Sequence, residues 1–147
     1  MGAWGHGNLE NDGAQDLIAE ISDELFARIV ILLQNPSASK WDECEHDELF
    51  VRVEMILAMA KHGMINSSPR SIELEPLFAP FVERWSQYFI ASKQKVPEER
   101  KAVIVDTFAR LLEVASGAEE GSFEHRLGLI SQKMGKNEEQ QLRETED

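Results

Sequence analysis

The chain is poor in the residues that fix most extracellular or nucleic-acid-binding folds. Among its 147 residues there is one cysteine, Cys44, so no intrachain disulfide can form and a reducing, cytoplasmic compartment is expected. Bases are scarce, with 15 Lys and Arg against 27 Asp and Glu and a formal net charge of −12. Such a surplus of acid repels phosphate backbones and anionic lipid, so neither nucleic acid nor membrane is an expected partner. Long apolar runs are absent too. The longest, Ile29 to Leu33, falls far short of the roughly 18 residues that a membrane span needs. No basic segment followed by an apolar one opens the chain, and His6 stands where an N-myristoylation signal wants Ser or Thr. Alternating runs of strand length and internal repeats are likewise missing.

What is present is helical punctuation. The first twelve residues are glycine-rich and aperiodic around a single large apolar side chain, Trp4. Asp12 is then expected to cap a helix, with Gln15 closing a capping box. Leu17, Ile18, Ile21 and Leu25 follow at helical spacing, with a possible break at a second cap signal near Ser22, and Pro36 ends the stretch. Asp42 and Glu45 predict the start of the next helix, and Lys61, His62 and Gly63 its end. Its apolar stripe, Leu49, Phe50, Val53, Ile56, Leu57 and Ala60, is widened by Val51, Met55, Ala58 and Met59, which predicts a central helix over 43–62. Only Asp47, Glu54, Lys61 and the Glu48–Arg52 pair are left for solvent. Pro76 and Pro80 delay regular helix, after which Phe81, Trp85, Tyr88 and Phe89 repeat at core spacing. Pro97 opens a further helix that Gly117 is expected to end. A last short helix, 122–135, should bury Phe123, Leu127, Ile130 and Met134. Residues 136–147 are polar and read as a disordered tail. The expected architecture is all-α: one domain, 1–135, folded as an irregular bundle of five or six helices.

Chemistry-bearing residues are few and form no strong motif. Asn8, Glu10, Asp12 and Asp16 fall on calcium-loop positions around Gly13, but Gln15 and Ala19 stand at defining positions where the motif fails, so a capped helix start is preferred. Cys44 and His46, two apart on a helix, point in different directions and lack partners at zinc spacing, so no metal is expected. The other histidines, His6, His62 and His125, are scattered, with His62 suited to a helix C-terminus. No nucleophile elbow, phosphate loop or zinc-helix motif is present. Arg52 and Glu54 could combine with Glu20 or Glu24 in carboxylate chemistry, though a structural ion pair is the commoner use of such residues. Met55, Met59 and Met64 suit gap-filling between helices.

The opening MGAWGHGNLENDGAQD, with Trp4, Gly5, Gly7, Leu9, Glu10, Asn11, Asp12 and Asp16, resembles the start of a bacterial family known as domain of unknown function 4259. The helix carrying Glu54 and the run Ile56 to Ala60 extends the likeness. Beyond Gly63 the Ser-Glu-Leu…Leu-Trp pattern associated with such proteins is missing. The resemblance implies a small helical protein and no activity, and it marks Trp4, His6, Glu10, Asn11 and Asp12 as a candidate functional loop. A second candidate surface is Asp42, Glu43, Glu45, Asp47 and Glu48, five acids without a base. That run suits a non-enzymatic, immunity-like or regulatory module binding a basic protein. The alternative is a small hydrolase or metal-dependent enzyme built on the acids and His6 near the N-terminal loop, and self-association is a third possibility. No cofactor is implied.

Overall fold

The computed structural model describes residues 3–135, with side chains described through Ala118 of the last helix. Four long helices and a single-turn helix follow one another: α1 Asp12–Leu33, α2 Cys44–Lys61, α3 Ser71–Leu74, α4 Phe78–Ala91 and α5 Glu98–Gly135. Short 3-10 turns at Pro36–Ser39 and Glu75–Leu77 join α1 to α2 and α3 to α4. The only pairing of extended backbone among the described residues is an isolated bridge between Ala3 and Asn11.

Helix ends follow from local chemistry, with some corrections to expectation. Asn11, not Asp12, caps α1, its Oδ1 accepting the Ala14 N–H at 2.7 Å. Asp12 instead sits in the first turn, where its charge complements the helix dipole. No break occurs at Ser22: its side chain is buried and its hydroxyl donates to the Ala19 carbonyl, so the second cap signal is absorbed within one helix. Helix α2 starts at Cys44 without the expected Asp42–Glu45 capping box, because the Asp42 carboxylate accepts the Tyr88 hydroxyl instead. Its far end closes as sequence predicts. Gly63 takes a φ of 71°, and the Met64 and Gly63 amides donate to Met59 and Ala60, a Schellman motif that needs the left-handed conformation glycine adopts most easily. Gly117 does not end α5, which runs unbroken to Gly135. A glycine inside a helix costs only about 1 kcal/mol, and Ala115 and Ala118 continue the packed stripe on either side of it. The side chains of Phe123, His125, Leu127, Ile130 and Met134, and residues 136–147, lie outside those described.

Helix α2 packs against α1, the first 3-10 turn and α5, while α4 packs against the same turn and α5. The core draws on every helix: Phe26, Ile29 and Leu32 from α1, Leu49, Val53 and Ile56 from α2, Leu74 from α3, Phe81 and Trp85 from α4, and Ile104, Phe108 and Leu111 from α5. The wide apolar girdle expected of α2 is not all buried. Val51 is 59% and Met55 49% exposed, so α2 is central through one stripe rather than all round. That stripe begins one turn earlier than expected, at His46, which is fully buried.

Candidate functional site

His46 organises the end of the bundle where the first 3-10 turn, α2, α4 and α5 meet. Its Nδ1 lies 2.9 Å from the Ala38 carbonyl oxygen and its Nε2 3.1 Å from Nη2 of Arg100. The ring packs on Phe50 at 4.9 Å and stacks obliquely on Phe81 at 6.4 Å between centroids, with 27° between the planes. Burial lowers its pKa, the Ala38 hydrogen bond opposes that, and the Arg100 charge lowers it further. The Arg100 guanidinium is held over two aromatic faces, Phe50 at 4.9 Å and Trp41 at 5.8 Å. Its Nε is buried with no hydrogen-bond partner.

Trp41 is 41% exposed, yet its ring is fixed from below. It lies 6.2 Å from the buried Trp85 and meets Phe89 edge-on at 6.0 Å. Beneath the 3-10 turn, Arg84 donates to Ser39 Oγ at 3.1 Å and to the Leu33 carbonyl at 2.6 Å. These bonds tie α4 to the segment carrying Trp41.

Around this tryptophan the acids of the candidate surface separate into two groups. Glu43 and Asp47 are exposed, and Asp42, also exposed, accepts the Tyr88 hydroxyl at 3.1 Å. That hydrogen bond, with burial and the nearby Asp42 and Glu43 charges, raises the Tyr88 pKa. On the other side of α2, Glu48 is neutralised. Arg28 of α1 holds it through two bonds, at 2.7 and 2.9 Å, and Arg52 through a third at 2.8 Å. The Arg28 hydrogen bond leads in lowering the Glu48 pKa from 4.5 to about 2. Glu45 is half-buried and its charge acts on Arg28. Of the five acids, Asp42, Glu43 and Asp47 stay exposed, the first two directly after Trp41 in the chain and the third acting on the Arg100 that covers its ring, while Glu45 and Glu48 serve the α1–α2 seam.

The N-terminal loop is ordered chiefly by its own members. The Trp4 amide donates to the Glu10 carbonyl at 2.9 Å, and Glu10 Oε1 accepts the Gly7 amide at 3.1 Å. A side chain at Gly5 or Gly7 would run into that of Glu10. Gln15 donates to the Leu9 carbonyl, and Asn66 in turn donates to the Gln15 carbonyl and side chain. These bonds moor the loop to the segment after α2. Trp4 is half-buried, while His6 and Asp12 face solvent. Asn11 is taken up by its cap. Arg52 pairs with Glu48, and Glu54 pairs with Arg110 of α5 at 3.8 Å, so neither joins Glu20 or Glu24. No three His, Cys, Asp or Glu side chains among the described residues are placed to share a metal ion.

Trp41 and Arg100 carry no local sequence pattern that marks them as site residues. One sits in a loop and the other in a helix first turn, and only the packing of α5 brings them together. His46 had a signal: it precedes Leu49, Val53 and Ile56 at three, seven and ten residues, on their helical stripe.

Fold and site together define an all-α bundle protein with a histidine–arginine pair under an exposed tryptophan. The chain matches the family model described as domain of unknown function (DUF4259) over residues 2–121, and it belongs to that family. The match extends well past Gly63, where the legible resemblance stopped, and includes the Trp41, His46 and Arg100 cluster. No curated protein and no solved structure matches the chain.

Proposed function

We propose that the protein is a non-enzymatic interaction module that uses Trp41, with Asp42, Glu43 and Asp47, to bind a basic segment of a protein partner. The carrying observation is the half-exposed Trp41 ring, fixed by Trp85, Phe89 and Arg100, with the exposed acids Asp42 and Glu43 next to it in the chain and the exposed Asp47 acting on Arg100. Tryptophan is among the residues that most often dominate binding energy at interfaces. A ring already held in place loses little side-chain freedom on binding. Its exposed face attracts a Lys or Arg head group, and the neighbouring carboxylates add charge complementarity. The net charge of −12 favours encounter with a basic partner over long range. No described helix is long and apolar enough to cross a membrane. A cytoplasmic setting suits Cys44, which is exposed and unpaired.

Affinity capture from the native host tests the proposal. The wild-type chain should retain a basic protein that is lost at high salt and lost with Trp41→Ala or with Glu43→Gln/Asp47→Asn. Retention of the same proteins by all three baits would overturn it.

A further inference from the structure

We infer that His46 is a proton-operated latch beneath the Trp41 surface: protonating its ring breaks the Nε2–Arg100 contact and frees the guanidinium from between Trp41 and Phe50.

The two ring nitrogens have no choice of role. A carbonyl only accepts, so Nδ1, 2.9 Å from Ala38 O, carries a hydrogen. A guanidinium only donates, so Nε2, 3.1 Å from Arg100 Nη2, keeps its lone pair. Neutral imidazole in the Nδ1–H form is the one state that satisfies both bonds. A second proton must go to Nε2, where it faces a cation at hydrogen-bond distance inside a fully buried ring's surroundings.

Little around the ring offsets such a charge. The first 3-10 turn supplies the Ala38 carbonyl and the uncharged Ser39. From α4 comes Arg84, another cation, committed to Ser39 and to the Leu33 carbonyl of α1. From α5 comes Arg100 itself. On α2, Asp47 is the carboxylate whose charge acts on both His46 and Arg100, and it is exposed to solvent. Phe50 and Phe81 complete the walls.

Arg100 is the member free to leave. Its Nε has no partner, and apart from the two ring faces its hydrogen bond among the described residues is to His46. When that bond turns repulsive, the guanidinium swings toward solvent and Asp47. Trp41 then loses the cation on its face and keeps only its contacts with Trp85 and Phe89. The consequence for binding rests on the function proposed above: a released Arg100 would neutralise part of the acidic rim and weaken capture of a basic partner in acid. The latch itself does not depend on a partner.

Proton–nitrogen NMR of the full chain, without partner, tests it from neutral to mildly acidic pH. At neutral pH the His46 ring should be the Nδ1–H tautomer. On acidification the His46 ring, the Arg100 Nε–H and the Trp41 indole N–H should shift with one shared midpoint below the ordinary value of about 6.5. In Arg100→Met the His46 midpoint should rise and the Trp41 signal should cease to follow it. An Nε2–H tautomer in the wild-type protein, or a His46 titration that leaves the Arg100 and Trp41 signals fixed, would overturn the inference. Both outcomes are read on the unaltered chain, so a poorly folding variant does not blunt the test. Failure to capture any basic partner, with the shared midpoint intact, would count against the proposed function and not against the latch.

Discussion

The Nε2 atom of His46 accepts from Arg100 Nη2 at 3.1 Å, an imidazole kept neutral first by its burial and then by a cation that is itself pinned between two aromatic rings. That relationship sets how the fold responds to acid. The pKa of His46 in the folded chain lies below the ordinary histidine value. Above about pH 6.5 both folded and unfolded chains hold it neutral, and its contribution is fully present. As pH falls below that value the unfolded chain takes up a proton that the folded chain refuses. Stability should therefore decline, with a slope of at most about 1.4 kcal/mol per pH unit for this one proton, until the folded pKa is reached. Urea denaturation at a series of pH values measures the slope, and His46→Gln should flatten it between neutral pH and the carboxylate range.

Glu48 acts in a different window. Its pKa is lowered from 4.5 to about 2, so its contribution is present above 4.5 and is lost as pH falls toward 2. Arg28 and Glu48 are 40% and 29% exposed, and solvent and salt screen them. Glu48→Gln should lower the melting temperature modestly at low salt and much less at high salt. Thermal unfolding at the two ionic strengths checks this. A loss unchanged by salt would mean that Glu48 acts through packing instead.

Gly117 offers a test with opposite signs. Inside a continuous α5, with open space where a Cβ would stand, Gly117→Ala should stabilise the chain by about 0.5–1 kcal/mol. Were Gly117 a left-handed helix end, as its place in the sequence invites, the same change would destabilise. Gly63→Ala is the internal control: with a φ of 71° it should destabilise by about 1–2 kcal/mol.

The cap of α1 separates two adjacent residues. Asn11→Ala removes the acceptor of the Ala14 amide and should cost about 1 kcal/mol. Asp12→Asn loses only a favourable charge near the helix dipole and should cost less than half of that. Equilibrium unfolding of the two variants ranks them.

Much of the fold was legible because short-range chemistry determines it. Pro36, Pro97 and Gly63 mark boundaries by what their backbones can and cannot do, and Phe81, Trp85 and Phe89 repeat on the buried side of α4. Cap partners were less legible. Asp42 is as good a cap in sequence as any, but the Tyr88 hydroxyl, far along the chain, claims its carboxylate. In sequence the acidic run reads as one face, whereas helical geometry sends Glu45 and Glu48 toward Arg28 and leaves Glu43 and Asp47 on the other side of the inward His46. The site proper was hardest to see. Trp41 and Arg100 belong to different segments, and neither carries a local pattern that announces the other.

The central claim is that Trp41 and its acidic rim form the contact surface. Titrating the purified, captured partner while following tryptophan emission tests it most directly, with the wild-type chain set against Glu43→Gln/Asp47→Asn. Both carboxylates are exposed, and the Glu43 side chain makes no cap hydrogen bond to α2. The account predicts saturable binding that weakens about tenfold in the double variant, equivalent to about 1.4 kcal/mol, and that falls more steeply with added salt in the wild type than in the variant. Equal affinity for both chains, with the same salt dependence, would contradict it.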